Sequence, residues 1–240
     1  MKLTICHLYP DLLNLYGDRG NIQCLRMRCA WRGIGTEVVP CELGDTIRFQ
    51  DFDIVLLGGG SDREQRIVCT KLLEIRDDFR DYVEDNGTVI AVCGGYQLLG
   101  HYYDTDEGRM EGLSLVDLHT VQGSPRLISN VVLENDLFSM PVTGFENHGG
   151  RTYTQGLPPF GKVLYGHGNN GEDGLEGIMY KNVIGTYLHG PLLPKNPQVA
   201  DRLIETALQR KYGSADLAPL EDKEEKEANA YIVKRFCSHS

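Results

Sequence analysis

The chain has 240 residues, a formal charge of −10 and 41% hydrophobic residues, enough for one large α/β domain or two small ones with a sizeable core. An acidic balance without clustered Lys and Arg excludes a nucleic-acid partner, because phosphate binding rests on such clusters. No stretch approaches the roughly 18 uninterrupted apolar residues of a membrane span, and the N-terminus runs into a strand pattern without a signal-peptide hydrophobic region, so a cytoplasmic protein is expected.

In chain order, residues 3–8 read as a strand closed by Tyr9-Pro10-Asp11. A helix beginning near Gly20 is stopped by Gly33-Ile34-Gly35, and a second strand follows at 36–40. The apolar run 53–57 ends at Gly58-Gly59-Gly60, after which Ser61 offers a cap for a helix reaching about Glu84. Asn86-Gly87 makes a turn into the buried strand 88–92, which delivers Cys93 at its carboxyl end. Short β-rich runs at 113–120, 127–133, 142–146, 162–165, 177–180 and 183–188 read as later strands of the same sheet with hairpins over it. A helix over 198–212 completes a domain spanning 1–213. Residues 214–240 form an acidic tail or a partner-docking helix, with the charge run 221–227 and an apolar stripe of Ala228, Tyr231, Ile232 and Phe236.

Six of the seven cysteines read as reduced, small core hydrophobes, and no pair has metal or redox spacing. Cys93 differs. The segment Val89-Ile90-Ala91-Val92-Cys93-Gly94-Gly95-Tyr96-Gln97-Leu98-Leu99-Gly100 reads as strand, sharp turn and helix with a thiol at the turn, the mechanics of a nucleophile elbow. A helix start beside the sulfur favours the thiolate. The Gly94 N–H is placed for an oxyanion hole, and the 58–60 loop on the neighbouring strand is expected to supply a second donor. A thiolate needs a proton partner. His189 ends another apolar strand before Gly190-Pro191, and in an open parallel sheet two such strand ends meet at one edge.

The Cys93 to Gly100 segment together with Gly185-Thr186-Tyr187-Leu188-His189-Gly190 resembles the class I glutamine amidotransferases of the cobyric acid synthase type. A closer resemblance, to the small glutaminase subunits of lipid II isoglutaminyl synthases, is carried by Asn14-Leu15-Tyr16-Gly17-Asp18-Arg19-Gly20-Asn21, by Gly58-Gly59-Gly60-Ser61-Asp62-Arg63-Glu64-Gln65 and by 144–152. It implies an open, mostly parallel sheet with flanking helices and hydrolysis of L-glutamine to glutamate and ammonia. By the same resemblance Cys93 is the nucleophile, His189 its base, Gly94 and Gly59 the oxyanion donors, and Arg126 the grip on the substrate carboxylate.

Members of the class usually carry a Glu two residues after the catalytic His, where this chain has Pro191. Glu146, Asp18 or an acid from a partner are the candidates for the third group, with the partner preferred. His148 reads as structural, and no metal site is expected. Asp62, Arg63 and Glu64 are expected to shape the pocket or an interface. The chain lacks a phosphate-binding G-x-x-x-x-G-K-[ST] loop. No cofactor is therefore expected in it, and ATP and Mg are assigned to a separate Mur-ligase-like partner in a heterodimer. The acceptor implied is the D-glutamate α-carboxyl of lipid II. The alternatives are cobyrinic acid amidation and a non-catalytic binding module on the same fold.

Overall fold

The computed structural model describes residues 1–15 and 17–237; Tyr16 of the 14–21 motif and tail residues 238–240 lie outside it. The chain opens with β1 (Lys2–Leu8), α1 (Arg19–Ala30), β2 (Gly35–Cys41) and β3 (Ile54–Leu57). The long helix expected after Ser61 is two, α2 (Asp62–Glu74) and α3 (Arg76–Glu84), separated at Ile75, whose φ of −117° and ψ of 17° leave the helical region. Ser61 caps α2 as expected: its N–H and hydroxyl both donate to the Glu64 carboxylate. Next come β4 (Thr88–Val92) and the short α4 (Gly94–Leu98).

These elements build an open sheet in which β1 to β4 run parallel, with every residue of β3 and β4 buried beneath the helices. The region from 102 onward departs from the sequence reading. It forms a second, mainly antiparallel sheet from β5 (Tyr102–Thr105), β6 (Gly108–Glu111), β7 (His119–Glu134), β8 (Val142–Tyr153), β9 (Gly161–Tyr165) and β10 (Leu175–Glu176). Its spine is the β7–β8 pair. β8 alternates buried and half-buried positions along nearly its whole length, the period of a strand covered on one face. Only β11 (Ile178–Tyr180) and β12 (Val183–Thr186) rejoin the first sheet, whose order becomes β11-β12-β4-β3-β1-β2 with β11 antiparallel.

Helix α5 (Pro197–Tyr212) stops at Gly213 in the left-handed conformation. Beyond it, 214–222 leads into α6 (Lys223–Cys237), which packs on the chain's own second sheet. The inner face of α6 is Asn229, which donates to the Pro141 carbonyl at 3.0 Å, together with Ile232, Val233 and Phe236. Tyr231, expected in the apolar stripe, is 61% exposed. The approach to α6 is tied down by Arg28, only 2% exposed, which forks onto both Asp201 and Asp222 at 2.6 to 3.0 Å. Among the described residues no helix is long and apolar enough to cross a membrane.

Candidate active site

Strand β4 ends at Val92 and the chain turns sharply at Cys93, whose φ of 52° and ψ of −107° are unusual for a side-chain-bearing residue. Backbone held this way is a device for lifting a nucleophile off a sheet edge. The turn is locked on both sides: the Cys93 N–H reaches the Thr186 carbonyl at 2.8 Å, and the Gly95 N–H reaches the Gly58 carbonyl at 3.1 Å. Close packing explains the two glycines. A Cβ on Gly95 would lie 2.4 Å from the Leu57 carbonyl, and one on Gly94 would lie 2.6 Å from Gln65 Nε2.

The 58–60 loop is pinned peptide by peptide. The Gly59 N–H, expected as an oxyanion donor, is given instead to Asp18 Oδ2 at 3.2 Å, and the Gly59 carbonyl accepts from the Leu15 N–H at 3.0 Å. Both groups thus face the 14–18 segment. The carbonyls on either side of Gly59 turn toward the elbow. The Gly58 carbonyl accepts there from Gly95, and the Gly60 carbonyl accepts from Gln65 Nε2 at 3.2 Å. Burial raises the Asp18 carboxyl to about 6, against the lowering effect of the Gly59 hydrogen bond.

His189 lies three residues beyond β12 and bridges the two sheets: its N–H donates to the Phe145 carbonyl of β8 at 2.9 Å. The Phe145 ring meets the imidazole edge-on, with centroids 5.7 Å apart. Burial first, then the charges of His148, Lys195 and Arg126, lower the imidazole pKa to about 4 against a hydrogen bond to the Asn147 backbone that raises it. The ring is therefore a neutral base at physiological pH. Cys93 and His189 are both buried, and they follow the carboxyl ends of the neighbouring strands β4 and β12, which pair in parallel register.

Arg126 sits where the β7–β8 register shifts between Gln122 and Leu127, an irregularity that re-aims side chains. Its Nε donates to Asn147 Oδ1 at 3.0 Å and its Nη2 to the Asn147 carbonyl at 2.9 Å. Through Asn147 and through its charge on His189, Arg126 belongs to the same site. Asp62 is the first residue of α2, directly after the 58–60 loop and its cap Ser61. Partial burial raises its pKa, and Arg126, then Arg66, pull it back.

The remaining candidates fall beside the site. Glu146 accepts from the backbone N–H groups of His167 at 2.7 Å and Gly168 at 2.9 Å. His148 lies flat on Tyr187, with centroids 3.5 Å apart, and accompanies a buried network in which Tyr187 joins Thr152 at 2.6 Å and Gln97 of α4 at 3.1 Å. Pro191 packs against Gly20, where a Cβ would come 2.5 Å from its Cγ. Among the described residues no group of three His, Cys, Asp or Glu is arranged to hold a metal ion. Sequence reasoning missed Asn147 and Gln65 as parts of this site, although both stand inside quoted motifs. Their signal is spatial, since each touches a residue distant in sequence.

A glutamine amidotransferase crystal structure aligns with 84% of this chain and 98% of its own, with a TM-score of 0.51 at 14% identity, which supports the fold. In sequence the chain is 43% identical over 235 residues to the lipid II isoglutaminyl synthase (glutamine-hydrolyzing) subunit GatD of Staphylococcus aureus (strain N315), covering 98% of this chain and 96% of that protein. It is 42% identical to the subunit of the same name from Streptococcus pneumoniae (strain ATCC BAA-255 / R6), over 88% of this chain and 83% of that one. The model of the CobB/CobQ-like glutamine amidotransferase domain matches residues 4–197. With a thiol on an elbow, an imidazole on the next strand and a match over most of its length, the chain belongs to the CobB/CobQ-like glutamine amidotransferase family.

Proposed function

We propose that this chain hydrolyses L-glutamine and hands the ammonia to a separate ATP-dependent, Mur-ligase-like subunit, which amidates the D-glutamate α-carboxyl of lipid II. The carrying observation is the near end-to-end likeness to a subunit named for that reaction, over 98% of this chain and 96% of the relative. In this reading His189 takes the Cys93 thiol proton as the sulfur attacks the side-chain amide carbon of glutamine, and the oxyanion is held by the Gly94 N–H and a donor of the 58–60 loop. His189 gives a proton to the departing ammonia, leaving a γ-glutamyl thioester on Cys93. His189 then takes a proton from water, the resulting hydroxide attacks the thioester, and glutamate leaves with the thiol restored. Arg126 grips the α-carboxylate. The chemistry takes place in the cytoplasm.

The third group of the triad comes from the partner subunit. Three cationic or potentially cationic neighbours, His148, Lys195 and Arg126, act on His189, so the imidazolium that must form in turnover lacks electrostatic support from them. A carboxylate brought in by a partner supplies that support and couples hydrolysis to assembly. ATP and Mg are used by the partner and not by this chain.

The test is glutamate release from glutamine by the purified chain, with and without the Mur-ligase-like subunit. Cys93→Ala is expected to lower the rate at least about 10³-fold and His189→Ala by about 10²–10⁴-fold, and the partner is expected to raise the wild-type rate. Hydrolysis that survives Cys93→Ala, or is absent in both conditions, would sink the reading.

A further inference from the structure

The first turn of α2 puts one polar side chain between the 58–60 loop and the elbow. Gln65 is 3% exposed, and its backbone is fixed by the N–H that it donates to the Ser61 carbonyl at 2.9 Å. Its Nε2 donates to the Gly60 carbonyl at 3.2 Å. The same amide lies against Gly94, where an added Cβ would come 2.6 Å from Nε2 and 2.7 Å from Cδ. One side chain thus touches both the loop and the residue that opens α4. The other end of the loop is tied to the elbow directly, by the Gly95 N–H on the Gly58 carbonyl, and Gly59 between them is held by Asp18 and Leu15. Gln65 Oε1 is buried and, among the described residues, has no hydrogen-bond partner. A buried acceptor left unpaired costs stability, so packing alone would favour an apolar side chain of the same shape. What a glutamine adds at this position is the donor to Gly60.

We infer that Gln65 is a positioning residue: it sets the separation between the Gly94 N–H and the 58–60 loop, and with it the fit of the site to the oxyanion. This role rests on the glutaminase reading above. Gly94 begins α4 and the loop follows β3, so the two halves of the oxyanion site are carried by different elements and need a brace between them. Donors act together only when each stands about 2.7–3.1 Å from the place that the oxyanion, and not the ground-state carbonyl oxygen, will occupy. A loop displaced by a few tenths of an ångström therefore weakens the hold on the tetrahedral intermediate more than the hold on the planar amide. Loss of the brace appears in kcat and leaves KM nearly alone. Gln65 passes this effect through Gly60 and Gly94.

The experiment uses the full chain with its partner subunit and compares wild type with Gln65→Met, which keeps length and packing but has no donor for the Gly60 carbonyl. Steady-state hydrolysis of L-glutamine is expected to show kcat lower by roughly 10- to 100-fold, with KM changed less than about twofold. Alkylation of Cys93 by iodoacetamide, a displacement at carbon that forms no oxyanion, is read on the labelled peptide and is expected to run within about twofold of the wild-type rate. Alkylation that slows in step with kcat would place Gln65 behind the thiol instead of the loop and overturn the inference. So would a lower melting temperature with kcat unchanged, the result of a role confined to the start of α2. Gln65→Glu covers the case of a methionine variant that does not fold. Its neutral acid can donate to the Gly60 carbonyl and its carboxylate cannot, so its kcat relative to wild type is expected to rise about tenfold from about pH 8 to about pH 5.5; a flat ratio overturns the inference. Cys93→Ala runs beside every assay. Cys93-dependent hydrolysis with wild-type kcat in Gln65→Met removes only the role of Gln65, whereas hydrolysis that survives Cys93→Ala removes the glutaminase reading with it.

Discussion

The two sheets contribute to the site in different ways. In the proposed reading the first supplies the reacting groups through local sequence: a strand, a strained residue and two glycines put Cys93 on its elbow within a few positions. In the same reading the second supplies grip and orientation through long-range pairing. Arg126 and Asn147 meet only because β7 and β8 pair, and the Phe145 carbonyl holds His189 from β8. Damage to the first sheet should therefore appear in the chemical step, and damage to the second in substrate binding.

The largest effect that sharpens this contrast is expected from Gly95→Ala. The added Cβ would lie 2.4 Å from the Leu57 backbone carbonyl, so the elbow must shift. A displacement of about 1 Å at a reacting atom costs on the order of 10²-fold. We expect kcat for glutamine hydrolysis to fall by about that factor, with KM changed much less. An unchanged kcat would show that the elbow tolerates movement and would dissolve the distinction between the sheets.

Arg126→Ala tests the other side. Losing charge-assisted hydrogen bonds to a carboxylate should raise KM roughly 10- to 100-fold. Binding shared by ground and transition states lowers KM without raising kcat, so kcat should be nearly kept. Steady-state kinetics with L-glutamine separates the two parameters. A fall in kcat alone would move Arg126 from the grip to the chemistry.

The same contrast explains what was legible in the sequence. The elbow, the glycine loop and the strand bearing His189 are contiguous runs whose period and punctuation report local structure, so β3, β4 and the capped start of α2 fall within about a residue of expectation. The family model covering residues 4–197 agrees with that reading. The second sheet was not legible as such. Its strands alternate like any half-buried strand, and nothing local in 127–133 says that its partner is 142–148 and not the parallel sheet. The orientation of the Gly59 peptide met the same limit: three consecutive glycines look alike in sequence, and only its hydrogen bond to Asp18 shows which way its N–H faces. The tail is similar, since a charged run reads as solvated until Arg28, buried and forked, is seen holding Asp222.

The smallest expected effect lies at the seam between the sheets. Glu176, from β10 of the second sheet, is fully buried and accepts from the Tyr187 N–H at 2.6 Å and the Thr186 hydroxyl at 3.0 Å, both at the end of β12 in the first. Burial raises its pKa from 4.5 to about 8, against hydrogen bonds from Tyr187 and Thr186 that lower it and with the charge of Glu146 adding to the rise. The folded state thus holds a proton that the unfolded chain releases near 4.5. The protonated acid's contribution to stability is complete below that pH and is lost progressively as pH rises toward 8. Glu176→Gln keeps the shape and an acceptor for Tyr187 but cannot ionise. Between pH 5 and pH 8.5 the melting temperature of the wild type should therefore fall further than that of Glu176→Gln. The difference should be several degrees, since each kcal/mol moves the melting temperature of a domain this size by about 2–4 °C. Parallel pH profiles for the two proteins would mean that Glu176 titrates alike folded and unfolded, and that the seam is held by packing around Tyr187 instead of by a neutral acid.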